Sequence, residues 1–133
     1  MTIAEIKEKN LVLCTYIDTL NTKYHVVAEY DTNFNNDNVI VVQETNGEKV
    51  TFYGDLNPLF NYYQIDIFGL KIEDTKNVSV VLGNLIGTST TLTYKNNTWQ
   101  IIFMQMTNPQ AIEYSDLRRV SYNMTLKCIV NKI

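Results

Sequence analysis

From Val120 to Val130 every second residue is apolar: Val120, Tyr122, Met124, Leu126, Cys128, Val130. Ser121, Asn123, Thr125, Lys127 and Ile129 stand between them, mostly polar. A period of two is the mark of a strand with one buried and one wet face. Over residues 119–130, at about 3.3 Å each, such a strand reaches roughly 40 Å. The same alternation runs through 61–68, where Tyr63, Ile65 and Ile67 alternate with Tyr62, Gln64, Asp66 and Phe68. Residues 24–30 are rich in β-formers and 39–43 form a short apolar run, so both read as strands. Asn46-Gly47 is a type I′ turn signal, because both central positions need positive φ; it predicts a hairpin of 41–44 with 49–53. A Lys95-Asn96-Asn97 turn joins strand-like 88–94 to 98–106. Turn residues fill 31–38, with one exposed aromatic, Phe34; 54–58 break the pattern, and 108–115 read as a loop.

Two segments follow a helical period instead. Ile3, Ile6, Leu13, Ile17 and Leu20 fall near helical spacing, with Cys14 beside them and Asn10 as a gap. Thr2 and Glu5 form a capping box ahead of them, so the predicted helix is 3–20. Val78, Val81, Leu82, Leu85 and Ile86 fill the i, i+3, i+4, i+7, i+8 template. Glu73, Asp74 and Thr75 suit a helix start, and Gly87 stands where a left-handed cap belongs. A second helix is therefore expected over 75–86. Gly83 inside it costs about 1 kcal/mol against Ala and is expected to mark a close packing point. The order helix, strands, helix, strands predicts an α+β fold: one domain over 1–133, a mainly antiparallel sheet, and two helices packed on one face. Ile17, Ile65, Ile67, Val81, Leu85, Tyr122, Met124 and Leu126 are expected in the core.

At 133 residues the chain fits one domain and can bury more than roughly 60 % of its unfolded surface. Hydrophobic residues make up 45 % and charged ones 19 %, a globular composition with a lightly charged surface. Eleven Lys and Arg against fourteen Asp and Glu give a net charge of −3. That balance argues against a nucleic-acid-binding surface, which needs a basic excess to displace counterions. No apolar run approaches the ~20 residues of a membrane span. The first residues lack a basic segment followed by an apolar one, so no secretory signal is read and a cytosolic location is expected.

Catalytic motifs are sparse. His25 is the single histidine and stands in a β-pattern without ligands at metal spacing, which favours a structural or surface role. Cys14 and Cys128 lie in apolar patterns and read as buried thiols. Glu73-Asp74 reads as a helix start before it reads as a general acid/base pair. Neither a nucleophile elbow nor a phosphate-cradling glycine loop is present. No enzyme activity, cofactor or metal is expected. Asp116, Arg118 and Arg119 make the most polar cluster beside an ordered element. They read either as a solvated strand end or as a subunit contact in which Arg forks a neighbour's carboxylate. Tyr62, within an adjacent tyrosine pair, and Phe34 are further interface candidates.

Four features in order carry a resemblance. A helix comes first; then a strand runs into an aromatic-Gly step, Tyr62-Tyr-Gln-Ile-Asp-Ile-Phe-Gly69; then an amphipathic helix spans Asn77 to Ile86. Finally a polar loop leads through Asp116-Leu-Arg-Arg119 into the last amphipathic strand. In this order the chain resembles the tail terminator proteins of long-tailed bacteriophages, also described as minor capsid, neck or tail-completion proteins. The match covers roughly residues 60 to 131. Relatives often carry an Ala-rich helix after the Gly step, where this chain has Val, Leu and Asn, and the loop at 31–38 has no counterpart. The resemblance implies a non-enzymatic ring, usually hexameric, on the head-proximal end of the tail tube. Such a ring stops tube polymerisation, offers a surface to the head–tail connector or stopper, and lets DNA pass through its lumen without specific binding. It implies assembly in the host cytoplasm and a place in the virion; a contact as polar as the one expected at Asp116, Arg118 and Arg119, on a lightly charged surface, leaves the free subunit a monomer that waits for the tube end as a template. The alternatives are another neck or tail part (connector, stopper or tail-tube subunit) or a small α+β ligand-binding domain.

Overall fold

The computed structural model describes residues 3–20, 22–28, 37–45, 60–108, 110–112 and 119–133. Its elements in chain order are α1 (Ile3–Asp18), β1 (His25–Val27), β2 (Val39–Glu44), β3 (Asn61–Gly69), α2 (Ile72–Gly83), β4 (Ser89–Tyr94), β5 (Asn97–Met106), β6 (Gln110–Ile112) and β7 (Val120–Lys132). The seven strands form one sheet in the order β1-β2-β3-β7-β5-β4, and β6 also pairs with β7. Only the β1–β2 pair is parallel. The fold is α+β, as the two hydrophobic periods predict.

β7 holds the sheet together. One edge of it pairs with β3 from Val120 to Cys128. The other edge is shared: β5 takes Leu126 to Lys132 and β6 takes Ser121 to Asn123. Between β5 and β6 the chain stays attached, since the Thr107 amide donates to the Thr125 carbonyl at 3.0 Å and the Thr125 amide donates to Thr107 Oγ1 at 2.8 Å. The loop expected over 108–115 therefore contains a short strand. A register shift between Phe103 and Gln105 places Met104 as the extra residue of a bulge, which bends β5 locally.

The register separates the residues into two faces. Ile40, Ile67 and Tyr122 share one row; Val42, Ile65 and Met124 the next; then come Tyr63 with Leu126, Cys128 with Phe103, and Val130 with Ile101. Apart from half-buried Tyr122, these side chains are buried. They form one cluster with Val12, Leu13, Cys14 and Ile17 of α1 and Val78 and Leu82 of α2. Both helices thus cover the same, inner face.

Asn10, a gap in the apolar pattern of α1, is a staple. It is buried, and its Nδ2 donates to the Ala28 carbonyl at 2.8 Å and the Val42 carbonyl at 3.3 Å. The buried amide is thereby satisfied and ties α1 to the β1–β2 edge. The capping box at Thr2 lies outside the described residues.

The second helix starts three residues earlier than 75–86 predicts, and its buried stripe is rotated. Thr75, Val78, Ser79 and Leu82 face the core, whereas Val81 is 40 % exposed and Leu85 is only half-buried in the turn that follows. Two polar residues enter the stripe because each has a local acceptor: Thr75 Oγ1 donates to the Lys71 carbonyl at 2.8 Å and Ser79 Oγ to the Lys76 carbonyl at 2.6 Å. Glu73 and Asp74 occupy the first turn, where the helix dipole favours negative charge.

The glycines differ from expectation too. A Cβ on Gly83 would meet nothing within 4 Å, so this is no packing point. Gly87 has φ +85° but lies beyond the helix cap at Asn84; its amide donates to the Phe103 carbonyl at 2.9 Å and so starts the β4 edge. The tight glycine is Gly69, where a Cβ would collide with Thr75 Oγ1 and stand 2.7 Å from the Tyr24 hydroxyl. Lys95 and Asn96, at φ 49° and 64°, form the two-residue turn between β4 and β5, with the handedness that a twisted hairpin needs. The hairpin expected from Asn46-Gly47 lies outside the described residues.

Candidate assembly surface

With both helices on the inner face, the outer face of β3, β7, β5 and β4 is a wide surface that neither helix covers. Its composition follows from the alternation: each polar position between the buried ones points here. Across the middle run Gln64, Asp66, Asn123, Thr125, Gln100 and Asn131, with Thr91, Thr93 and Thr98 of the β4–β5 hairpin. Ile102 and Ile129 lie opposite one another, both half-buried. Asp66 and Lys127 are the only charged side chains described in this open region.

Each of these two charges has a defined setting. Gln64 Nε2 donates to both carboxylate oxygens of Asp66, at 3.2 and 3.3 Å. Burial raises the Asp66 pKa, and the Gln64 hydrogen bond pulls it partly back. Lys127 Nζ stands over two rings, 4.3 Å from the Phe60 centroid and 5.9 Å from that of Tyr62. A cation held by ring faces is partly shielded, and such a contact contributes about 0.5–1 kcal/mol at a surface.

The far end of the same face is closed. Val39, Val41 and Ser121 are buried, and Arg119 is 2 % exposed with its guanidinium 4.9 Å over the Phe68 ring. This corrects the expectation for Arg119. Its side chain lies inside the chain, against Phe68, and is no fork held out to a neighbour's carboxylate. A charge reversal there would report on folding. Of the other interface candidates, Asp116, Arg118 and Phe34 lie outside the described residues. Tyr62 is half-buried at the open end, six residues along β3 from Phe68 and so roughly 20 Å away. The structure brings Tyr62 together with Phe60 and Lys127, a grouping that no local pattern signals. The cross-strand pair Tyr62–Lys127 needs the β3–β7 register, and no local signal carries that.

His25 opens β1 and is exposed. Both cysteines are buried and free, and burial pushes each thiol up to about 12. At neutral pH they are protonated, poor nucleophiles. Among the described residues, two buried side-chain polar atoms lack a hydrogen-bond partner, the Tyr63 hydroxyl and Trp99 Nε1. Among the described residues, no helix is long and apolar enough to cross a membrane. No protein-family model matches the chain, and no curated protein does.

Proposed function

We propose that this protein is a structural virion subunit, forming a ring at the head-proximal end of a bacteriophage tail tube, where it ends tube polymerisation and joins the tail to the head connector. The carrying observation is the one-sided architecture: both helices pack on the inner face, leaving a wide sheet wall whose open part carries one Asp and one Lys among polar neutral side chains. DNA adheres to protein mainly through Lys and Arg that release its counterions, with a slope near one per phosphate contact. A wall nearly free of fixed charge gives a passing duplex little to hold, which suits the lumen of a ring. The net charge of −3 works in the same direction by disfavouring non-specific adhesion. Subunits meet head-to-tail around a closed axis, because a terminator needs two unlike faces, one for the tube and one for the connector.

The test is genetic. A phage deleted for this gene should accumulate unattached full heads together with tail tubes of excessive length. Tails of normal length with empty or leaking heads would instead make the protein a connector or stopper, and abundant copies along the whole tube would make it a tube subunit.

A further inference from the structure

Among the described residues the sheet ends at β4, and this strand carries none of the charges, prolines or bulges that commonly block an edge. Ser89-Thr-Thr-Leu-Thr-Tyr94 contains no charge and no proline, and its pairing with β5 runs from Ser89 to Tyr94 without a register shift. Threonine and tyrosine, four of its six residues, favour extended backbone. A regular, uncharged edge is a template for another strand.

The register states which groups it offers. Tyr94 and Asn97 flank a two-residue turn and pair across it, so they form a hydrogen-bonded pair, and such pairs recur at every second residue. Leu92 and Thr90 therefore bond inward to β5, and the Phe103 amide reaches the Thr88 carbonyl at 3.0 Å. The amides and carbonyls of Ser89, Thr91 and Thr93 point outward, and all three residues are exposed.

We infer that the β4 edge is where a second copy of this chain pairs, antiparallel and two-fold symmetric about Thr91. Three outward-facing residues spaced by two are self-complementary about the middle one. Thr91 pairs with its own copy and Ser89 with Thr93, giving about six new backbone hydrogen bonds. On the outer side, threonine meets threonine and serine meets threonine, favourable cross-strand pairs. On the inner side, half-buried Leu92 comes beside Thr90 of the copy and extends the apolar layer across the joint. Lys95 falls opposite Gly87, so no like charges meet. Two copies that each carry −3 repel least along a neutral strip, and this strip is one. The pairing stands independently of the tail-terminator reading. It is two-fold rather than head-to-tail, so it describes the free protein and replaces the expected monomer.

Sedimentation equilibrium of the purified chain over a concentration series should show monomer and dimer. Thr91→Lys places two like charges on the two-fold axis and should raise the dimer dissociation constant about ten-fold or more, with unchanged circular dichroism. Thr91→Ser should dimerise like the wild type. Thr91→Cys should form a disulfide-linked dimer on mild oxidation, since a hydrogen-bonded pair sets Cα atoms about 5.5 Å apart, inside the disulfide range. Asn77→Cys, exposed on α2, should not. A wild-type chain that stays monomeric throughout overturns the inference. So does a Thr91→Lys protein that dimerises as well as wild type, or a Thr91→Cys protein that cross-links no faster than Asn77→Cys.

Discussion

Leu126 and Thr125 are neighbours on β7 and share its backbone ladder, yet one is 1 % exposed among Tyr63 and Met124 while the other looks out from the open face. The inner face is held by volume: buried side chains from four strands, β2, β3, β5 and β7, and from both helices fill one space. The outer face is held mainly by the backbone beneath it, and its side chains can be exchanged as long as they tolerate extended structure. Stability therefore concentrates on one side of the sheet, and the other is left available for contact.

The largest test of that contrast is Leu126→Ala, expected to cost about 2–5 kcal/mol through the cavity left in the inner layer. Thr125→Ala should cost about half a kilocalorie or less, because the bonds at this position are made by its backbone. Comparable denaturant midpoints for the two variants would dissolve the distinction. Gly69→Ala comes next. The added methyl collides with Thr75 and the Tyr24 hydroxyl, so a loss of about 1–3 kcal/mol is expected, and a neutral result would mean that α2 is free to shift.

The buried thiols give a pH signature of the inner face. Cys14 and Cys128 are pushed from 9.0 to about 12 by burial. Between those values the unfolded chain has lost thiol protons that the folded chain keeps, so stability is intact below pH 9 and falls as pH rises towards 12. By pH 10 each thiol should have cost roughly 1 kcal/mol. Tyr63, whose hydroxyl is also raised by burial, adds to the slope above pH 10. Cys128→Ala should flatten the alkaline fall measured by urea denaturation, and an unchanged slope would place the thiol in contact with water. The smallest effect is a gain: Gly83→Ala, with open space around the new methyl, should stabilise the helix by about 0.8 kcal/mol. A loss at this site would mean that something packs on the outer side of α2.

Much of this arrangement can be read from the residues. Alternation locates β3 and β7 and assigns Ile65, Ile67, Met124 and Leu126 to the buried side, because a period of two leaves one assignment of faces once the core side is known. The helical template finds α2 but turns it wrongly. It weighs apolar residues alone, whereas Thr75 and Ser79 are buried by bonding carbonyls of their own helix, and Val81 is left outside. Asn10, Gly69 and β6 are invisible for a related reason: each owes its place to groups 18 or more, six or more, and about ten residues away, and single-segment patterns hold no information about such partners. The candidate surface was partly legible. Tyr62 emerges from pattern, but its pairing with Lys127 depends on register, and the burial of Arg119 depends on Phe68, in a different strand and distant in sequence.

The position of β7 has a consequence for how the molecule folds. β3 and β5 both pair with it and not with each other, so the sheet exists as two unjoined parts until residues 120–132 insert between them. The β4–β5 hairpin can form early from local contacts, but the β3–β7 ladder links residues about sixty positions apart, and loop closure on that scale must precede any reward. Folding should therefore be slow for a chain of this size, and the last strand laid down is the one that makes the sheet a single cooperative unit.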